Sequence, residues 1–224
     1  MLLQDRAYVL FARIQGETSL WLSLLTEQHG RVQLTFKGGQ KKRSSLPPFT
    51  ELTTLWRPGN ASGGWLSHCE AVAYQAPLQG MANWGGLYAN ELLHRSLVQD
   101  HPVSSLFYAY EQLVQLLRAS GDDRGLMAWA LRRFEWVFIS EMGYGFPQQT
   151  HNFDPFLPEF YYQWQAQGWF QSASGIQGSE LIALMNQSNH GKASRALREL
   201  LQWRLLQAMP NQALSMRQWW EQLG

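Results

Sequence analysis

Apolar and polar residues alternate with a two-residue period in five short runs at the start of the chain: Ala7 to Ile14, Ser19 to Leu25, Arg31 to Phe36, Glu51 to Arg57 and Trp65 to Ala73. Gly, Pro, Asn and Ser punctuate the gaps. In the third run Val32, Leu34 and Phe36 share one face, while Arg31, Gln33, Thr35 and Lys37 share the other. One face suits a core and the other a polar partner. Five such strands with one longer loop suit an OB-type β-barrel.

From about Met81 the period becomes helical. Leu106, Tyr110, Leu113 and Leu117 recur behind Ser104, a plausible N-cap, and the segment stops at Gly121. Met127, Leu131, Phe134, Phe138 and Met142 form a second seam, closed by Gly143. Farther on, Phe160 to Trp164 and Trp169 to Ser172 flank a short turn and predict a hairpin. Helical stretches are predicted near Ser179 to Met185, Lys192 to Met209 and Ser215 to Leu223. The pattern predicts an α+β protein: an OB-fold barrel over 1–78, then a helical domain over 79–224 with an irregular or hairpin insertion at 146–180. No internal repeat or low-complexity segment interrupts this order.

Composition narrows the class. With 224 residues, 45% of them hydrophobic, the chain has material for a packed interior. The longest uncharged stretches, Ala71 to Asn90 and Phe160 to Ser179, are broken by Pro and Gly or by a Gln- and Trp-rich run, so no membrane span is expected. Asp5 and Arg6 interrupt the apolar start, which argues against an export signal and for a cytoplasmic location. Cys69 is the sole cysteine, so neither an intramolecular disulfide nor a multi-cysteine zinc site is expected.

Net charge is only +1, but its distribution is uneven: +3 over residues 1–80, −2 over 81–143 and 0 over 144–224. Lys37, Lys41, Lys42 and Arg43 put four cations within seven residues, and no acidic residue lies between Glu27 and Glu51. Lys and Arg in such a loop release counterions from phosphate, and Gly38 and Gly39 allow close backbone approach. An ordinary solvated charged loop is the competing reading. Arg31 and Gln33 would extend the cationic track along the strand. Tyr8, Phe11, Trp21 and Trp56 are candidates for base stacking, although each also suits a barrel core.

The helix from Leu126 to Met142 has an unusual second face, where Trp129, Arg132, Arg133 and Trp136 cluster away from the apolar seam. Aromatic surface beside two guanidiniums suits a peptide with an apolar anchor and an acidic end. The alternative is a helix buried on both faces, its arginines paired to Glu135 or to Asp122 and Asp123. Lys192, Arg195 and Arg198 recur every third residue near the end and read as a solvated face, with a second DNA contact as the alternative. The six histidines show no i, i+4 pairing, and there is no Walker loop, G-x-G-x-x-G or G-x-S-x-G. No catalytic site is expected, and a hydrolase built from scattered Asp, Glu and His is a distant third reading.

Five segments then carry a resemblance: GETSL (Gly16 to Leu20), TEQHGRVQLTFKGGQKKRSSLPPFT (Thr26 to Thr50), GLYANELLHRSL (Gly86 to Leu97), LFYAYEQL (Leu106 to Leu113) and LRRFEWVFISEMGYG (Leu131 to Gly145). In order and spacing they resemble the RecO family of bacterial DNA repair and recombination mediators, enterobacterial-like members above all. The likeness covers most of the first 145 residues. It implies an OB barrel followed by a helical domain. It also implies binding of single- and double-stranded DNA, annealing of complementary strands, and loading of RecA onto DNA coated by single-stranded-DNA-binding protein, usually with RecR.

On this resemblance the DNA-binding residues are Arg31, Lys37, Lys41, Lys42 and Arg43. Trp129, Arg132, Arg133 and Trp136 would receive the acidic, phenylalanine-terminated tail of single-stranded-DNA-binding protein. Many members carry a four-cysteine zinc module in the C-terminal part. This chain has no such ligand set, so neither zinc nor another cofactor is expected. Its basic loop is shorter than is usual in the family. The leading expectation is a non-enzymatic, nucleoid-associated mediator, and the alternative is a protein-interaction adaptor with little DNA affinity of its own.

Overall fold

Closure of the alternating strands onto one another explains why their apolar faces survive in water. In the computed structural model, which describes residues 1–59, 63–166 and 168–209, the strands are β1 (Leu3–Gln15), β2 (Ser19–Thr26), β3 (Gly30–Phe36), β4 (Leu52–Pro58) and β5 (Gly64–Ala71). They form a closed barrel in the order β1-β2-β3-β5-β4. β1 is longer than its alternating run because its first half pairs with β4, Leu3 opposite Trp56 through Ala7 opposite Leu52. Its second half pairs with β2, with a register shift between Val9 and Phe11. β3 and β5 meet in parallel and complete the ring. Leu20, Leu22 and Leu24, then Val32, Leu34 and Phe36, point inward with Ala7, Val9, Leu52, Trp56 and Leu66 to fill the barrel.

Among the described residues, two helices belong to the compact unit that holds Met1–Arg118. α1 (Gly80–Ser96) lies against β1. Asn90 donates from Nδ2 to the Val9 carbonyl beside the register shift and accepts from the Tyr110 hydroxyl. Gly86 is required here, since a Cβ would stand 2.6 Å from Cε1 of the buried Phe49. α2 (Ser104–Ala119) is tied to the barrel through Arg6, which pairs with Glu51 at 2.6 Å, Glu27 at 3.3 Å and Glu111 of α2. Ser104, read above as the cap of this helix, is its first residue, and its hydroxyl donates to the Glu27 carbonyl.

The second unit starts at Ala119. α3 (Arg124–Ile139) is capped by Asp123, whose side chain accepts from the Leu126 amide. It runs into a wide turn over Ser140–Tyr144 that ends where Gly143 takes φ 80°. The predicted hairpin is present as β6 (Tyr161–Gln165) and β7 (Gly168–Ser172), with Trp164 opposite Trp169, and β8 (Ile176–Gln177) joins the other edge of β6. Phe146, Phe156, Tyr162, Trp164 and Trp169 interlock edge to face and give residues 146–180 a core of their own. α4 (Gly178–Met185) and α5 (Arg195–Ala208) follow, the latter capped by Ser194. The helix predicted over 215–223 lies outside the described residues. No helix among the described residues is long and apolar enough to cross a membrane.

Candidate nucleic-acid interface

The basic loop is a mounted turn. Beyond Phe36 the chain reverses through Gly38 at φ 68°, a conformation that side chains other than Gly adopt at a cost. At Gly39 a Cβ would lie 2.8 Å from the Phe36 ring. The two glycines therefore serve the turn and the ring beneath it, which is a local structural reason beyond approach to phosphate. Residues Gly39–Ser45 then wind as a 3₁₀ helix.

Three residues hold this turn. Gln40 donates from its amide to the Thr18 carbonyl and from Nε2 to that of Gly16, both at 3.1 Å. The Lys42 ammonium lies 5.6 Å over the Phe36 ring. Leu46, just past the helix, is buried among the barrel residues. Lys37, Lys41, Lys42 and Arg43 are all exposed, and no ion pair among the described residues engages them. Four unneutralised charges on an anchored base concentrate positive potential in one place.

Arg31 is placed differently. Its Nε donates to the Leu97 carbonyl at 2.8 Å, at the C-terminal end of α1 where carbonyl dipoles favour a cation. Its own carbonyl accepts from the Asp100 amide at 2.9 Å. Burial pulls the guanidinium below its ordinary pKa, partly countered by Asp100. Arg31 thus fastens β3 to α1, a contact that the four loop cations do not share.

Of the aromatic candidates, Tyr8 and Trp56 are buried, Tyr8 against Phe107 and Tyr110 and Trp56 inside the barrel. Phe11 is exposed, and Trp21 is half-buried with the Arg13 guanidinium 4.8 Å from its ring. Trp65 was missed by the sequence reading. It is 47% exposed and lines a groove of about 430 Å³ with Thr35, Lys37, Arg57, Leu66 and Ser67. Gly64 in, Trp65 out, Leu66 in is the two-residue period at the start of β5, but Trp65 and Leu66 are both apolar, so the sequence leaves open which of the two faces the core.

The second face of α3 corrects the expectation of an exposed aromatic surface. Trp129 is 0% exposed, Arg132 2% and Trp136 7%. Trp129 donates from Nε1 to the Ser188 carbonyl and packs on His190, while Trp136 stacks on Phe146. Arg132 pairs at 2.9 Å with Glu135, one turn on, in a site that excludes water from both side chains. Only Arg133 of the four is half-exposed, and burial lowers its pKa. The cover of Trp129 comes from Ser188 and His190, about sixty positions later, and that of Trp136 from Phe146, beyond the end of the helix, so the helical period carries no trace of either.

Arg195 pairs with Glu199 on an open helix face, as the solvated reading expects. Among the described residues no group of three or more His, Cys, Asp or Glu is placed to hold a metal ion.

Comparison with known proteins agrees with this architecture. Residues 1–74 match the family model "Recombination protein O N terminal", and residues 79–175 match "Recombination protein O C terminal". The chain is 43% identical over 145 residues to the DNA repair protein RecO of Serratia proteamaculans, covering 63% of this chain and 58% of that protein. It is 42% identical over 145 residues to the DNA repair protein RecO of Shigella flexneri, with the same coverage. The match thus spans less than two thirds of the length of these relatives, whose names denote DNA repair and no enzymatic activity. With a five-stranded OB-like barrel at its start and both family models matched in order along it, the chain belongs to the RecO family.

Proposed function

We propose that this protein is a non-enzymatic mediator of DNA repair and recombination that holds DNA on the basic loop of its barrel. The observation that carries this reading is the set of four exposed cations, Lys37, Lys41, Lys42 and Arg43, mounted on a turn braced by Gln40, Phe36 and Leu46. Binding works by mass action: the loop neutralises phosphates and releases their counterions, with no covalent step. The protein accepts single- and double-stranded DNA, anneals complementary strands and presents DNA for RecA loading, with RecR as partner. Membership of the RecO family supports this sequence of events. The same reading places it in the cytoplasm at the nucleoid.

Docking on the acidic tail of single-stranded-DNA-binding protein belongs to the proposal. The half-exposed Arg133 supplies the cation on α3, while Trp129, Arg132 and Trp136 hold that helix in place. An adaptor with little DNA affinity is the second reading, favoured by the overall charge of +1.

Fluorescence anisotropy of a labelled single strand, titrated at several salt concentrations, separates the two. The mediator binds with a steep salt dependence. Changing Lys37, Lys41, Lys42 and Arg43 together to Ala lowers the log-log salt slope by about 3, as loss of four phosphate contacts requires. A flat salt dependence in the unaltered protein identifies the adaptor.

A further inference from the structure

We propose that the groove on the outer face of β3, β5 and β4 is a stacking site for an unpaired DNA base, with Trp65 as its platform and Lys37 and Arg57 as its phosphate clamps. This rests on the reading of the barrel as a DNA-binding unit and adds to it the source of single-strand selectivity.

Strand register sets the outward row. Across the barrel Arg13 stands opposite Trp21, Trp21 opposite Thr35, Thr35 opposite Trp65, and Trp65 opposite Arg57. Directly paired residues project to the same side of a sheet, so one outward row carries two indoles with a guanidinium at each end. Strands lie about 4.8 Å apart, which sets Trp21 and Trp65 roughly 10 Å from each other with only Thr35 between. The two rings differ in availability. Trp21 is engaged by the Arg13 guanidinium and by the edges of Phe11 and His94. Among the described residues no cation or ring is stacked on Trp65, which is 47% exposed.

The ring of Trp65 is also supported from the protein side. A Cβ at Gly59 would lie 3.0 Å from its Cζ3, so the indole rests near bare backbone. Apart from Leu66, its neighbours in the groove are hydrogen-bonding or cationic, namely Thr35, Ser67, Lys37 and Arg57. A flat apolar surface of one ring, flanked by two cations and two hydroxyls, matches a nucleotide in size and charge. Lys37 also begins the run of loop cations, so a strand on the groove continues onto the basic loop. Duplex DNA keeps its base faces stacked internally and gains only the phosphate contacts.

The test is anisotropy on the full chain with three labelled probes: a thymidine oligonucleotide, the same strand with its central bases removed, and a duplex. Trp65→Ala is expected to weaken single-strand binding about five- to a hundred-fold, the range one stacked base supplies, with the salt slope and duplex affinity unchanged. Trp65→Phe should recover most of the loss. Removing the bases should cost the unaltered protein the same factor and cost Trp65→Ala nothing further. Single-strand affinity within twofold of the unaltered protein, or an equal loss on all three probes, overturns the stacking site while leaving the barrel as a DNA binder. Absence of binding by the unaltered protein to any probe removes the DNA-binding reading itself, and the stacking site with it.

Discussion

Trp and Arg are neighbours both on the barrel and on α3, yet Trp65 is 47% exposed while Trp129 and Arg132 are 0% and 2% exposed. On the barrel the indole stands on the outward face of a closed sheet with Arg57 and Lys37 beside it, and the sheet has already used its inward face for a core. On α3 the helix has no spare face. One side carries Met127, Leu131, Phe134 and Phe138, and the other meets the segment around Ser188 and His190 and the ring of Phe146. Arg132 tolerates this because Glu135 lies three residues on and supplies the opposite charge inside the same dry site. The lesson is that a cation beside an aromatic ring stays available to a partner when water reaches it and is committed to architecture when water does not.

The largest effect should come from breaking the buried pair. Arg132→Ala leaves a buried carboxylate without that partner and is expected to destabilise the protein by about 3–5 kcal/mol, measured by urea unfolding. Replacing both Arg132 and Glu135 by Met and Leu should cost less than the single change. An Arg132→Ala variant as stable as the unaltered protein would place that side chain in solvent and erase the contrast with the barrel. The loop quadruple variant sharpens the same contrast, since removing exposed, unpaired cations should leave stability within about 0.5 kcal/mol while DNA affinity falls.

A smaller change is expected at Arg133, the half-exposed member of the α3 set. Arg133→Glu should weaken binding of an acidic, phenylalanine-ended peptide about tenfold, the worth of a charge-assisted hydrogen bond, and spare single-strand binding. Unchanged peptide affinity in a calorimetric titration would remove α3 from the docking surface.

The smallest effect concerns His94, which is neither fully open nor fully buried. It stacks on Phe11, and burial, with help from Arg31 and Arg95 and against the pull of Glu91, lowers its pKa. The folded state therefore favours the neutral ring, and the unfolded state binds the proton more readily. Its contribution to stability is complete above the free imidazole value of about 6.5 and is lost as pH falls through the lower folded value. Urea midpoints measured across that range should slope downward toward acid in the unaltered protein and less so in His94→Phe. Equal slopes would exclude His94 as the titrating group.

Much of the fold was legible because the barrel and the hairpin rest on local periods. All five strand runs and the Trp164/Trp169 hairpin follow from a two-residue alternation and its turn residues. The basic loop was legible as well, since charge without compensation is a property of the chain before it folds. The contacts of Arg31 and the burial of the α3 aromatics were not. Arg31 is claimed by a carbonyl 66 residues away, and Trp129 by one 59 residues away, and no period reports such partners. Trp65 is illegible for a second reason: an aromatic at a strand start reads equally as core or surface until the register of its neighbours is known.

The succession of β and helical elements, the place of the positive charge and the resemblance to the RecO family are all written in neighbouring residues and need no folding to be seen. Which of the arginines and tryptophans meet water is settled by the fold alone. That depends on which distant segment lands on each face. The desolvation of a guanidinium or an indole is set by those neighbours and not by its own place in the chain.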